Sequence, residues 1–376
     1  MSEPRGTVLV IGPFAETAGG VVTFQKNLVE RSRLKERWRF VRHSNSRPPK
    51  EDVTDNHRYG ALFNAGPRRF VVGAVVTARN LARLPGVIRR ERPDVAQIQS
   101  SDLLVFWESA AYLWVCHRMG VPAVVRFGGA FDHFFDGSGP IARRLIRRVL
   151  RSPERIVVQS EGWKERFAAL TDVRRLVVVP NAVPDPPPAP ERPARTTGVR
   201  ALWLATADAR RKGLETVLAA APSLRGVVEV HAYAAGAPVR ERVAALGLAD
   251  VIVCHGVVSR DEMDRAYREA DLFLIPSFGE GFPNSMLEAM RHALPVIGAP
   301  VGAIPEVIDT NGGVLVAADD AAGLARAALR LAGDPGLRAA MGAHNREVVQ
   351  ARYALDVVFA RFDALWADAI AEGRRR

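Results

Sequence analysis

The sequence predicts an α/β protein of two doubly wound, Rossmann-like domains facing a cleft. Three observations predict it. Apolar, strand-like runs alternate with helical patterns; the alternation starts afresh midway; and a proline-rich stretch separates the two series. Length agrees, because 376 residues exceed one ordinary core and suit two domains of roughly 150–200 residues.

The first series opens with Thr7-Val8-Leu9-Val10-Ile11, a short apolar run of buried-strand type. A loop over 12–20 follows, and then Val21, Val22, Phe24, Leu28 and Val29 recur at helical spacing. Strand, glycine loop and helix make the first unit of a doubly wound parallel sheet. Further strands are expected at 95–98, 123–126, 156–159 and 176–179, which gives a first domain over 1–183. Residues 184–193 carry six prolines and read as a semi-rigid linker within a hinge over 184–198. The second domain, 199–352, repeats the pattern with strands expected at 199–205, 227–233, 251–254, 272–276, 294–297 and 313–316. A last helical pattern over 353–376 holds Val357, Val358, Phe359, Phe362, Leu365 and Trp366, and is expected to pack back on the first domain.

Composition is that of a soluble globular protein, near half apolar and a quarter charged. The apolar stretch 103–115 is broken by Glu108 and falls short of a spanning helix. The N-terminus lacks the basic, apolar, small-residue order of a secretory leader, so a cytoplasmic protein is expected. Cys116 and Cys254 match no metal or redox spacing and read as reduced thiols. The net charge of +11 is unevenly spread. Residues 1–182 hold 30 Lys and Arg against 17 Asp and Glu, and the rest hold 22 against 24. An anionic partner for the first half alone is one reading, and a generic arginine-rich surface is the other. No nucleic-acid recognition motif is present, and the basic residues are not interleaved with stacking aromatics, so nucleic acid is not expected as a partner.

The stretch 141–151 sharpens the first reading. Its apolar residues fall at Ile141, Ala142, Leu145, Ile146, Val149 and Leu150, and the other five positions are all arginine. Either the helix packs on the core with a solvated basic face, or it rests on anionic lipid. The second possibility makes a lipid-linked acceptor, and a peripheral position on the inner face of the plasma membrane, worth testing.

The chemistry concentrates in Ser277-Phe278-Gly279-Glu280-Gly281-Phe282-Pro283-Asn284-Ser285-Met286-Leu287-Glu288. This segment follows an apolar strand and leads into a helix, with Pro283 suited to the first helical position. Glu280 then lies on the loop and Glu288 in the second helical turn. Backbone N–H groups over 281–285 offer an anion site at the helix start. Carboxylates beside a diphosphate find natural donors in sugar and ribose hydroxyls. On the residues alone, helix capping by Glu280 and a surface role for Glu288 explain the pair equally well.

The stretch resembles the E-x7-E signature of retaining family-4 glycosyltransferases with the GT-B fold. Arg291-His292-Ala293-Leu294-Pro295-Val296-Ile297, Val301-Gly302-Ala303-Ile304-Pro305-Glu306 and Gly312-Gly313-Val314-Leu315-Val316 are similar to family elements in family order. Upstream, Arg211-Lys212-Gly213-Leu214 resembles the Lys-Gly that opens the donor domain's first helix, and Val179-Pro180-Asn181-Ala182-Val183 the segment before the hinge. The likeness is dense from about Pro180 to Val316 and thinner in the first half.

The resemblance implies a metal-independent, retaining hexosyltransferase-type enzyme without cofactor, using a nucleoside-diphosphate sugar (a UDP- or GDP-sugar). The first domain would take a hydroxyl acceptor, in cell-surface polysaccharide or glycolipid assembly. Glu280 would hold donor-sugar hydroxyls and Glu288 the ribose. Lys212 would neutralise the diphosphate, aided by Arg211, with Gly281, Phe282, Pro283, Asn284 and Ser285 lining the donor site. Gly19 and Gly20 would bring backbone close to the diphosphate or acceptor. No Asp-x-Asp pair is present to chelate a divalent ion, in keeping with a site that holds no metal. Two positions depart from the family pattern. Ala207 stands where an arginine is common, with Arg210 or Arg211 as replacement cations, and Phe127 stands where a histidine is common, with Arg126 or His133 as substitutes. Glycosylation of a soluble natural product, a nucleotide-sugar epimerase and a non-catalytic sugar-nucleotide binder stay open as alternatives.

Overall fold

The computed structural model describes residues 4–14, 20–46, 67–128, 131–188, 191–192, 194–206 and 208–375, apart from the side chains of 67–72 and 132–133. The chain divides into two compact units. One is Met1–Asn181 with Leu355–Arg376, and the other is Ala182–Ala354.

The first unit is built on six parallel strands: β1 (Gly6–Gly12), β2 (Trp38–Ser44), β3 (Val95–Ser100), β4 (Ala123–Phe127), β5 (Arg155–Val158) and β6 (Leu176–Val178). Their order across the sheet is β2-β1-β3-β4-β5-β6. A parallel sheet is covered on both faces, so its inner strands read as continuous apolar runs. Val8 to Ile11 are all fully buried. Leu9, Ile11, Ile98, Val125 and Ile156 point to one face, where Phe106, Leu113 and Phe167 cover them. β2 escapes the sequence pattern because it is an edge strand whose Arg39 and Arg42 break the apolar run.

The terminal helix Leu355–Gly373 belongs to this unit. Phe359 meets Phe24 edge-on at 5.2 Å between ring centroids, and Trp366 meets Trp38 at 5.6 Å. The Trp366 indole donates to Gln97 Oε1 at 3.0 Å, and the Trp38 indole to Asp363 Oδ1 at 2.7 Å. Each buried ring therefore has its polar atom satisfied. Trp366→Ala should remove about 3–5 kcal/mol from the first unit's stability, read as a lower urea midpoint of its unfolding transition.

The second unit repeats the architecture with β7 (Val199–Leu204), β8 (Val228–Tyr233), β9 (Ile252–Cys254), β10 (Leu272–Ile275), β11 (Val296–Gly298) and β12 (Gly313–Leu315). Their order is β12-β11-β10-β7-β8-β9, again all parallel. Side chains alternate between two cores. Trp203 and Leu274 enter one, and Leu202, Phe273 and Ile275 the other.

The described part of the proline-rich stretch is tied to this second unit. Arg192 donates to the carbonyls of Ala293 at 3.0 Å, Tyr267 at 3.3 Å and His292 at 2.5 Å. A guanidinium fork at the end of the helix Asn284–Arg291 satisfies carbonyls that the helix leaves open. Arg195 pairs with Asp271 at 3.3 Å. Among the described residues no helix is long and apolar enough to cross a membrane.

Candidate active site

In the second sheet the chain runs from β7 outward to β8 and β9, then returns to place β10 on the other side of β7. The strand order reverses between β7 and β10, and the crevice at the carboxyl ends there is where doubly wound sheets bind ligands. The loops leaving these two strands carry Lys212 and Glu280.

Glycine sets the approach of the two loops. Gly213 has φ +83°, and a Cβ there would lie 2.2 Å from the Pro276 carbonyl oxygen. Only glycine fits, and the next residue begins the helix Leu214–Ala220, which puts Lys212 at a helix start beside the β10 loop. Backbone bonds fix both sides: Phe278 N–H donates to Arg211 O at 2.8 Å, and the Trp203 indole to Lys212 O at 3.0 Å. Gly302 does the same for Glu280. Its φ is +56°, and a Cβ would stand 2.0 Å from the Glu280 carbonyl oxygen. The neighbouring Ala303 N–H donates to Gly281 O at 3.1 Å.

The side chains then converge. Lys212 Nζ donates to Glu280 Oε1 at 2.5 Å, and Ser277 Oγ donates to the same oxygen at 2.7 Å. Arg211 Nη1 stands 3.8 Å from Glu280 Oε2 and donates to Gly279 O, while its Nε donates to Asp208 Oδ2 at 2.8 Å. Glu280 is 8% exposed and Lys212 16%, so the pair is screened yet reachable. Ser277, fully buried, had no role in the sequence reading. Its place three residues before Glu280, at the end of the strand, was the available signal. Arg210 is exposed, and Ala207 lies outside the described residues.

Glu288 occupies the second turn of the helix Asn284–Arg291 and has a different partner, Arg291 Nη1 at 2.8 Å. Arg291 also donates to Asp185 O at 3.2 Å. Pro283 proves to be the cap rather than the first helical residue, with extended backbone at φ −74° and ψ 111°. Within the stretch Gly281 to Ser285, Phe282 is buried against Tyr353, and Ser285 O accepts from the Tyr267 hydroxyl at 3.4 Å. Asn284 opens the helix.

Below Glu288, His292 is fully buried, stacked on Tyr267 at 5.5 Å and 2.9 Å from Asp264 Oδ1. Burial, with Arg291 nearby, holds its imidazole well below the ordinary value of 6.5, despite Asp264. Burial and the Glu288 charge push the Tyr267 hydroxyl well up. The unfolded chain therefore takes up a proton on His292 that the folded chain refuses. The stability this site contributes is present above about pH 6.5 and is lost as pH falls below it. His292→Phe should flatten that acid slope in denaturation midpoints measured between neutral and acidic pH.

In the first unit, Arg126 is not an accessible cation. It is 1% exposed, with its guanidinium 3.6 Å above the Phe24 ring. It donates to Asn181 Oδ1 at 2.5 Å and Gln99 Oε1 at 3.3 Å, and Gln159 Nε2 donates to Asn181 Oδ1 at 2.9 Å. Desolvation lowers its pKa to about 9. These strand-end amides were hidden in apolar runs, and together with Phe24 they enclose Arg126. Phe127 is buried against Phe131 and Phe167. His133 lies in the helix Phe131–Asp136 with its side chain outside the described residues, as is all of Gly19. Gly20 begins the first helix, Gly20–Lys26. Cys116 is free and buried, its thiol pushed up to about 12, and Cys254 is free and half-buried.

Comparison with known proteins adds to this geometry. The family model for glycosyl transferases group 1 matches residues 198–334, and that for glycosyltransferase family 4 matches residues 18–185. A D-inositol 3-phosphate glycosyltransferase of Streptomyces bingchenggensis is 35% identical over 136 residues, covering 35% of this chain and 29% of that protein. A GDP-mannose-dependent alpha-(1-6)-phosphatidylinositol monomannoside mannosyltransferase of Mycobacterium tuberculosis is 30% identical over 245 residues, covering 59% and 64%. The chain thus spans less than two thirds of either relative's length.

Among solved structures, sucrose-phosphate synthase from Thermosynechococcus elongatus aligns with a TM-score of 0.78 at 18% identity, over 98% of this chain and 100% of the other. HepE from Anabaena, in complex with UDP and glucose, aligns at 0.70 with 12% identity, over 96% and 99%. Identities this low speak for the fold alone. Two family models that together span most of the sequence, two six-stranded parallel sheets and these neighbours in fold agree: the chain belongs to the family-4 glycosyltransferases with the GT-B fold.

Proposed function

We propose that the protein transfers a sugar from a nucleoside-diphosphate sugar to a hydroxyl acceptor, with retention and without a metal ion, in polysaccharide or glycolipid assembly. The observation that carries this reading is the Lys212–Glu280 pair at the strand-order reversal. As described, Lys212 and Arg211 are balanced by Glu280 and Asp208. An incoming diphosphate competes for Lys212 and Arg211, and frees Glu280 to accept hydrogen bonds from donor-sugar hydroxyls. Lys212 then meets the charge that grows on the leaving diphosphate, where a fixed cation contributes most. Glu288, partly exposed and paired with Arg291, would accept from ribose once Arg291 yields its bond. In this reading the acceptor attacks from the face that the diphosphate leaves, and a leaving-group oxygen takes the acceptor proton.

The names of the relatives support a glycolipid setting, since one acts on phosphatidylinositol monomannoside with GDP-mannose. We place the protein at the inner face of the plasma membrane, on a lipid-linked acceptor. The test is incubation with UDP-glucose or GDP-mannose and a membrane extract, with and without chelator. Nucleotide release matched by a glycosylated product of retained anomeric configuration is expected, unchanged by chelator. Epimerised sugar, or binding without transfer, would replace this reading with one of its alternatives.

A further inference from the structure

We propose that one face of the first unit, formed by the helices Leu103–Arg118 and Pro140–Leu150, docks on an anionic lipid bilayer. This deepens the membrane setting proposed above and rests on it, but it uses none of the donor-site residues of the second unit.

The helix Pro140–Leu150 is apolar on two sides. Ile146 and Leu150 are buried in the core, as any packed helix requires. Ile141 is nevertheless 78% exposed and Leu145, one turn on, 47%. A core helix with a merely solvated face would carry polar residues at both positions. Around them Arg144, Arg147, Arg148 and Arg151 are exposed, and among the described residues none of the four pairs with a carboxylate. Arg143 differs, turning inward to donate to the carbonyls of Phe135 and Asp136.

The second helix carries exposed groups of the same kind. Ala110 and Leu113 line the same small cavity, about 10 Å³, as Val149 and Leu150, so the two helices meet at the C-terminal end of Pro140–Leu150. Trp114, one turn after Ala110, is 65% exposed, and Arg118 follows it one turn later, also exposed. Tryptophan flanked by arginine is the composition of the bilayer interface, where the ring sits among headgroups and guanidinium groups meet phosphates. Two aliphatic side chains and an indole gain nothing from an acidic polymer in water, but they do from the acyl boundary. The helix Pro140–Leu150, at 11 residues, lies on such a surface rather than through it.

The experiment is co-sedimentation of the full chain with phosphatidylcholine vesicles, with and without phosphatidylglycerol. The wild type should pellet with the anionic vesicles and stay in solution with the neutral ones. I141E/L145E should abolish pelleting, and R144Q/R148Q should weaken it by about 25-fold, at about fivefold per arginine. Both variants alter exposed side chains, and both should keep the thermal shift that UDP-glucose or GDP-mannose gives the wild type. Equal pelleting of I141E/L145E and wild type, or a wild type that binds heparin beads but not vesicles, would overturn the proposal. Pelleting retained in a chain that transfers no sugar would support the surface and count against the reaction.

Discussion

Lys212→Ala is expected to lower turnover by about 10²–10³-fold, the loss typical when one preorganised charge partner of a transition state is removed. The fold should persist, because Glu280 keeps the Ser277 hydroxyl and the nearby Arg211 guanidinium when the lysine is gone. Lys212→Arg should not restore the rate. The 2.5 Å contact to Glu280 suits a compact ammonium, whereas a guanidinium is broader and planar. Glu280→Gln should mainly lower turnover as well, since the amide keeps the shape but loses the charge that strengthens bonds to sugar hydroxyls. Initial rates with saturating donor, set beside melting temperatures, separate this loss from unfolding.

Gly302→Ala is expected to be as damaging to activity, although it touches no charged group. The alanine Cβ would be forced to within 2.0 Å of the Glu280 carbonyl oxygen, in a backbone conformation with φ +56°. The left-handed conformation alone costs roughly 1–2 kcal/mol for a residue with a side chain. The clash adds to this unless the Glu280 loop retreats. A retreat of about 1 Å is enough to cost on the order of 10²-fold in rate through misplacement. The expected signature is a lower melting temperature together with a turnover loss close to that of Glu280→Gln. An unchanged rate would show that the backbone position of Glu280 is unimportant. Gly313→Ala is a useful control, since its Cβ would also meet backbone, the Val296 carbonyl oxygen at 2.1 Å, in the sheet itself.

The two sheets were legible because buried parallel strands leave nearly unbroken apolar runs, as 7–11 and 272–275 show. β2 was not, because edge position lets Arg39 and Arg42 sit on it without cost. At the candidate site, Glu280, Lys212 and the glycines were visible from type and order. What could not be read was which groups answer which. Lys212 reaches Glu280 across 68 positions, and Glu288 answers to Arg291 one turn away. Arg126 shows the limit most clearly. An arginine at a strand end reads as a cation for a substrate, but here Phe24, Asn181 and Gln99 enclose it. Burial depends on what other elements bring over a residue, and no local pattern records that.

The most direct measurement is calorimetric titration of UDP-glucose and GDP-mannose into the wild type, Lys212→Ala, Glu280→Gln and Glu288→Ala, with initial rates on the same samples. Glu288→Ala should weaken nucleotide binding, Lys212→Ala should weaken it and slow transfer, and Glu280→Gln should slow transfer with little change in affinity. Identical affinity and turnover in all four proteins would contradict the assignment of a sugar-nucleotide site to the Lys212–Glu280 pair.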